Sequence, residues 1–274
     1  MFKLVGCIVV YNTGFDEIKE LIKEFYKEDI GQKLVIIDNS NTGYLKDGIF
    51  TINEKVDYII SPNNGYGYGN NIAIQKYAGK SKYFLILNPD IFIKFKELKK
   101  LIDYAEEKEE FGIIMPKITY EDGENQYLCK LLPKPVNLLG RRFLFKLSFF
   151  KKLDYIYELR FTGYDKEITV PVLSGCFMLC NYHNLLKENG FDERFFMYLE
   201  DVDLSRRMYK YKNFFNPNIS AVHKHNRESY RTLKMTFIHM KSAIKYFNKW
   251  HWFFDKERKI VNNSIIEKYK KGIL

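Results

Sequence analysis

YFLILNPD, residues 83–90, is the stretch from which the rest of the chain is read. Tyr83 to Leu87 are consecutive apolar or aromatic residues, and the run stops at Asn88-Pro89-Asp90. A run this short and dense reads as a strand buried on both faces, as in the interior of a parallel sheet. Pro89 has no N–H to give a ladder, so the strand ends there. Asp90 then stands at the carboxyl end of a central strand, where open α/β sheets take their ligands. A single carboxylate there suits a hard divalent cation, which commonly takes one or two protein carboxylates beside its other oxygen ligands. The competing reading is a helix cap, because helical periodicity begins at about Phe95 and Asp is favoured just before a helix.

Upstream, KLVGCIVV (3–10) reads as a buried strand ending at Tyr11-Asn12-Thr13-Gly14. A helix follows with apolar positions at Phe15, Ile18, Leu21, Ile22 and Phe25. KLVIIDNS (33–40) is a second strand, delivering Asp38 and Asn39 at its end. Strand, helix and strand in so short a span form a βαβ unit and imply parallel strands. VDYIIS (56–61) is a third strand, followed by a glycine- and asparagine-rich loop running into a helix that ends near Gly79.

Downstream, FGIIMP (111–116) is a short strand, and the pattern weakens from about 117 to 170. Within it, residues 137–160 are apolar, aromatic and basic together, fitting either a helical pair over the sheet or an amphipathic surface patch. ITVPVLSGCFMLC (168–180) regains strand character, broken at Ser174-Gly175. NYHNLLKENG reads as a short helix closed by Gly190, and a further helix begins near Glu200. FFNPNISAVHKHN (214–226) predicts strand, turn, strand, and the tail is helical. No internal repeat or linker interrupts the chain.

The 274 residues, 46% hydrophobic, support one large α/β domain with an appendage. Lys and Arg outnumber Asp and Glu by 44 to 34, and the formal charge of +10 favours an anionic partner. Cys7, Cys129, Cys176 and Cys180 form no CxxC pair and lie in apolar segments, as in a reduced cytosolic protein. The amino terminus reads as a strand rather than a signal peptide. No apolar run reaches membrane-spanning length, so any membrane contact is peripheral. In the tail, Trp250, Trp252, Phe253 and Phe254 lie among Lys245, Lys249, Lys256, Arg258 and Lys259. That mixture fits an anionic membrane interface, or equally aromatics packed on the core with solvated lysines.

Polar residues gather at the strand ends. Asp38 can accept from a ligand or close an Asx-turn. Gly65, Gly67 and Gly69 permit close backbone approach at a helix amino terminus, but match neither GxGxxG nor a P-loop. Glu200, Asp201 and Asp203 crowd into four positions behind the aromatic FFMY. A pocket there would make one of them a general base, whereas a solvated helix start would merely complement the macrodipole. His223 and His225 sit one residue apart on an apparent strand and point to opposite faces, so at most one joins Asp90 at a metal.

Taken in order, VVYN (9–12), IDNS (37–40), the loop from Asn63, LNPD (87–90), SGCFML (174–179), FDERFFMYLEDVDLSRR (191–207) and VHKH (222–225) resemble a family-2 glycosyltransferase of the rhamnosyltransferase-like branch. The resemblance runs over about residues 4–230. It implies a GT-A α/β fold with a mixed, mostly parallel central sheet flanked by helices. A catalytic domain over 1–230 would be followed by a helical, basic-aromatic extension over 231–274. It places Tyr11, Asn12 and Asp38 on the nucleotide, and Asn63, Gly65 and Asn70 in a loop closing over the donor. Asn88-Pro89-Asp90 stands at the family's DxD motif; Asn replaces the first Asp, which leaves Asp90 and the later His223, rather than His225, to hold Mg²⁺ or Mn²⁺. Asp201 matches the catalytic base, Glu200 lies beside it on the acceptor side, and the Gly175 backbone approaches donor and acceptor.

The implied activity is inverting transfer of a sugar from a nucleotide-diphosphate donor to a hydroxyl of a glycan or lipid-linked glycan. The branch points to dTDP-L-rhamnose, with UDP-sugars as an alternative, and to surface polysaccharides such as capsule or O-antigen. It implies a cytoplasmic enzyme at the inner face of the membrane, with no nucleic-acid partner. Two rivals are a sugar-phosphate nucleotidylyltransferase, whose basic glycine-rich loop VVYNTGFDE lacks, and a nucleic-acid binder, which leaves the acids at 200–203 without a role.

Overall fold

In the computed structural model, residues 1–138, 148–224 and 233–270 are described. Among the described residues nine strands form one sheet: β1 (Phe2–Val10), β2 (Gln32–Asp38), β3 (Asp57–Ile60), β4 (Ser81–Leu87), β5 (Ile91–Phe92), β6 (Ile113–Thr119), β7 (Ile168–Thr169), β8 (Phe177–Asn181) and β9 (Phe214–His223). Their order is β3-β2-β1-β4-β8-β6-β9-β5, with β7 also paired to β9. The helices are α1 (Phe15–Phe25), α2 (Lys46–Ile52), α3 (Tyr66–Lys76), α4 (Phe95–Glu106), α5 (Ser148–Tyr157), α6 (Tyr182–Lys187), α7 (Glu200–Met208), α8 (Leu233–Trp250) and α9 (Lys256–Lys270).

β4 is central and buried from Tyr83 to Leu87, as its composition requires. Its neighbours, however, run in opposite senses: β1 is parallel to it and β8 antiparallel. Burial on both faces dictates an unbroken apolar run, but says nothing about the direction of the partner. The first four strands are parallel, with Val10 opposite Asp38 and Asp38 opposite Ile60, so their carboxyl ends share one edge.

Two expectations from the sequence are corrected. The 214–226 segment is not strand, turn, strand: β9 is one strand whose pairing with β6 jumps from Pro116–Asn216 to Lys117–Ser220. The extra residues make a bulge around Pro217, which has no N–H to contribute to a ladder. α4 begins after Lys94, so Asp90 does not cap it. Of the ambiguous 137–160 stretch, α5 is helical and residues 139–147 lie outside the described residues, as does His225.

The carboxyl-terminal helices pack on the α/β fold. Ala243, Tyr246 and Phe247 of α8 join Leu132, Val172, Phe195, Leu199 and Val202 in a second apolar cluster. Arg206 on α7 makes paired hydrogen bonds of 2.7 and 2.9 Å to Asp255 in the α8–α9 turn and stacks 4.1 Å from the Trp250 ring. Fully buried Asp203 accepts from Trp250 Nε1 at 2.7 Å and from Arg207 Nε at 2.8 Å, and pairs with Lys249 at 2.6 Å. Arg258 is buried with its guanidinium on the Pro133 and Trp252 carbonyls. The tail aromatics and cations expected at a membrane thus divide: Trp250, Trp252, Lys249 and Arg258 serve this packing, while Phe253 and Phe254 are exposed. Among the described residues no helix is long and apolar enough to cross a membrane.

Asp255→Ala leaves the buried Arg206 guanidinium with Glu257 as its one acidic partner among the described residues. The loss should be about 3 kcal/mol of unfolding free energy, read from urea denaturation.

Candidate active site

The site forms where the carboxyl ends of β2 and β4, the 174–176 segment, the start of α7 and the end of β9 meet. β4 hands the chain to Asn88, whose N–H donates to the Cys176 carbonyl at 2.9 Å. One residue earlier, the Gly175 N–H donates to Asp201 Oδ2 at 3.0 Å, and the Tyr66 hydroxyl donates to the Gly175 carbonyl at 2.9 Å. A Cβ at residue 175 would lie 2.9 Å from Asp201 Cβ, so only glycine lets the segment come this close. Asp201 Oδ1 accepts from the Val202 N–H at 2.8 Å at the start of α7. This carboxylate is half-buried and held by backbone donors at the positive end of a helix.

Two consecutive non-glycine residues in the left-handed region, Tyr198 (φ 68°) and Leu199 (φ 66°), turn the chain into α7. Neighbouring Glu200 is buried, and its Oε2 has no hydrogen-bond partner among the described residues. Burial, aided by the charge of Asp201, raises its pKa well above the ordinary carboxylate range. The acids at 200–203 therefore have three different environments: Glu200 in the interior, Asp201 facing the site and Asp203 bound to the tail.

On the other side of Asn88, Asp90 Oδ2 lies 3.1 Å from His223 Nε2, because β5 pairs with the end of β9 and sets Ile91 opposite His223. His223 Nδ1 lies 2.9 Å from Gln126 Oε1, and Gln126 Nε2 donates to the His223 carbonyl at 3.5 Å. That second bond orients the amide so that its oxygen faces the ring, which places the imidazole proton on Nδ1. His223 Nε2 and the Asp90 carboxylate thus face each other at the strand edge. An oxygen and an imidazole nitrogen suit a divalent ion that takes its remaining ligands from a substrate.

Asp38 is at the same edge but is fully buried. Its oxygens accept from the Ser40 N–H (2.8 Å), the Gly43 N–H (2.9 Å) and the Tyr58 hydroxyl (2.7 Å). The Asx-turn alternative is therefore formed, and Asp38 presents no surface to a nucleotide in this conformation. Exposed Tyr11 and Asn12 stand nearby, with the Asn12 N–H donating to Ser40 Oγ at 2.7 Å.

The glycine loop is closely packed. Gly65 has φ 116°, and a Cβ there would sit 2.3 Å from the Phe196 carbonyl oxygen; at Gly67 it would meet Phe191, and at Gly69 Val9. The glycines let α3 pack closely against the 191–196 segment and β1. Asn70 is fully buried and donates to the Tyr66 carbonyl, whereas Asn63 is exposed. Sequence reasoning missed Asn71, whose amide accepts from the Phe191 N–H and donates to its carbonyl, both at 2.9 Å. It also missed Gln126, which lies in the stretch of weakest pattern. The cysteines are all buried as free thiols, that of Cys176 pushed up to about 12 by burial.

The sequence profile of the family described as "Glycosyl transferase family 2" matches residues 7–170. The chain belongs to glycosyl transferase family 2. Rhamnosyltransferase WbbL of Escherichia coli (strain K12) is 28% identical over 253 residues, 89% of this chain and 92% of that relative. Among solved structures, GalNAc-T7 with UDP, GalNAc and Mn²⁺ superposes with a TM-score of 0.66 at 15% identity, over 93% of this transferase and 49% of that chain. The Pyrobaculum calidifontis mannosyltransferase PcManGT, with GDP-Man and Mn²⁺, gives 0.56 at 12% identity over 98% and 75%. S. aureus TarS 1-349 with UDP-GlcNAc gives 0.57 at 16% identity over 90% and 67%. The transferase thus spans nearly the whole curated relative but about half of the GalNAc-T7 chain. At these identities the structural likenesses establish the fold, which is GT-A.

Gly65→Ala should cost at least about 2 kcal/mol in chemical denaturation, through the Phe196 clash and the strained φ. Glu200 carries a folded-state pKa above its unfolded one, so its contribution to stability is full below about the ordinary value of 4.5 and falls as pH rises from there. Glu200→Gln, which mimics the protonated form, should flatten that decline in melting temperature between acid and neutral pH.

Proposed function

We propose that this family-2 enzyme transfers a sugar, with inversion, from a nucleotide-diphosphate donor to a hydroxyl of a surface-polysaccharide or lipid-linked glycan. The donor we favour is dTDP-L-rhamnose, on the likeness to WbbL along nearly the whole chain. The observation that carries the reading is the contact path from Asp201 through Gly175, Cys176 and Asn88 to Asp90 and His223, which lines up a base and a cation site across one sheet edge.

Asp201 takes the proton of the acceptor hydroxyl as that oxygen attacks the anomeric carbon. The new C–O bond forms on the face opposite the departing diphosphate, so one displacement inverts the centre through an oxocarbenium-like transition state. Asp90 and His223 would hold Mg²⁺ or Mn²⁺, which when bound stabilises the charge on the diphosphate. Tyr11 and Asn12 are the exposed candidates for the nucleoside, Asp38 shapes the turn beneath them, and Asn88 lies between the cation site and the 174–176 segment. Residues 1–230 would form the catalytic unit, with the carboxyl-terminal helices as its support.

The direct test is a panel of nucleotide sugars with and without divalent ion, scored for thermal stabilisation and slow donor hydrolysis. dTDP-L-rhamnose should give the largest response; a larger response to a UDP-sugar would reassign the donor. Asp201→Asn should lower turnover by about 10²–10⁴ while leaving donor binding in place. Near-normal turnover would remove Asp201 from the role. Gln126→Leu should weaken Mn²⁺ binding by about 10–100-fold, measured by the free-ion EPR signal, and Gln126→Glu should retain it.

A further inference from the structure

α8 presents two apolar faces, and among the described residues the fold uses one. Ser242, Ala243, Tyr246 and Phe247 are buried, with Ser242 Oγ donating to the Met197 carbonyl. Leu233, Phe237, Met240 and Ile244 are 88%, 70%, 37% and 47% exposed. Their spacing of four, three and four residues sets them in one row along a helix of about 27 Å, at 1.5 Å per residue. A row of this kind on a soluble surface marks an interaction site.

The charges choose the partner. Between Leu233 and Trp250 the helix carries four lysines and no Asp or Glu. Lys234, Lys241 and Lys245 follow the same spacing along one shoulder of the apolar row, and Lys234 and Lys241 are exposed. An apolar row flanked by cations with no acid is complementary to a bilayer surface bearing anionic headgroups. A symmetric contact with a second copy would instead bring lysine rows together with no α8 carboxylate to answer them.

We infer that the outer face of α8 seats the enzyme on an anionic membrane, with Leu233, Phe237, Met240 and Ile244 in the acyl boundary and Lys234 and Lys241 at the headgroups. The same helix supports the turn leading to Asp201: the His239 ring packs 5.3 Å from Tyr198, and Ser242 holds Met197. The membrane contact itself does not depend on which sugar is transferred.

The test is co-flotation of the full chain with vesicles of phosphatidylglycerol and phosphatidylethanolamine, against vesicles of phosphatidylcholine alone. The wild type should float with the anionic vesicles and not the neutral ones. Phe237→Gln/Ile244→Gln should reduce the bound fraction about tenfold at both low and high salt. Lys234→Ala/Lys241→Ala should reduce it mainly at low salt. All four side chains are exposed, and a melting curve on each variant establishes that it is folded. Equal flotation on both vesicle types, or binding unchanged in the folded variants, would overturn the inference. A wild-type dimer that Phe237→Gln/Ile244→Gln converts to monomer, without lipid binding, would reassign the face to a second copy.

Discussion

The segment 174–176 has to pass between the end of the central strand and the start of α7 with no side chain in the gap. Its backbone meets three elements at once: Gly175 N–H on Asp201, Gly175 carbonyl on Tyr66 and Cys176 carbonyl on the Asn88 N–H. These bonds couple the acid at the head of α7 to the strand that carries Asp90. The proposed base and the proposed cation site, on separate supporting elements, are thereby held in one frame, and preorganisation of this kind sets how far a displacement can be accelerated. The approach depends on the missing Cβ at Gly175.

Around that frame the chain places groups that are costly elsewhere. Tyr198 and Leu199 both take left-handed backbone conformations, and Glu200 is buried beside Asp201. Such strain persists only where packing over-determines the geometry. Here the packing comes from α8 and the α8–α9 turn, through Leu199 and Val202 in the second apolar cluster and through Asp203 and Arg206 beneath α7. The carboxyl-terminal helices are thus part of what fixes the acids in place, although they contribute none of the proposed reacting groups.

Neighbouring residues of similar chemistry have divergent fates. Glu200, Asp201 and Asp203 read as one acidic cluster, yet α-helical geometry sends them to the interior, the site and the tail. Asp38 and Asp90 both follow apolar strands, yet the first closes a turn under Tyr58 while the second meets His223. Gly65 and Gly175 both permit close approach; the intruding partner is a carbonyl of the chain at one and the Asp201 side chain at the other. In each case the residue type names a small set of roles, and the neighbour brought in from a distance selects one.

Local pattern was enough for the strands at 3–10, 33–38 and 83–87, for α1 and α4, and for the helix starting at Glu200, because each buries a face whose period is written in consecutive residues. The ordered motifs likewise made the family and the placement of Asp90, His223 and Asp201 at one edge readable before any coordinates. The sense of β8 beside β4, the bulge in β9, the Gln126–His223 contact and the inward packing of α8 were not readable. Those features depend on pairings between residues far apart in the chain, and an apolar residue looks the same in sequence whether it meets a strand of either direction, a distant helix or nothing. Only tertiary structure decided them, since burial is a property of the neighbours a residue acquires.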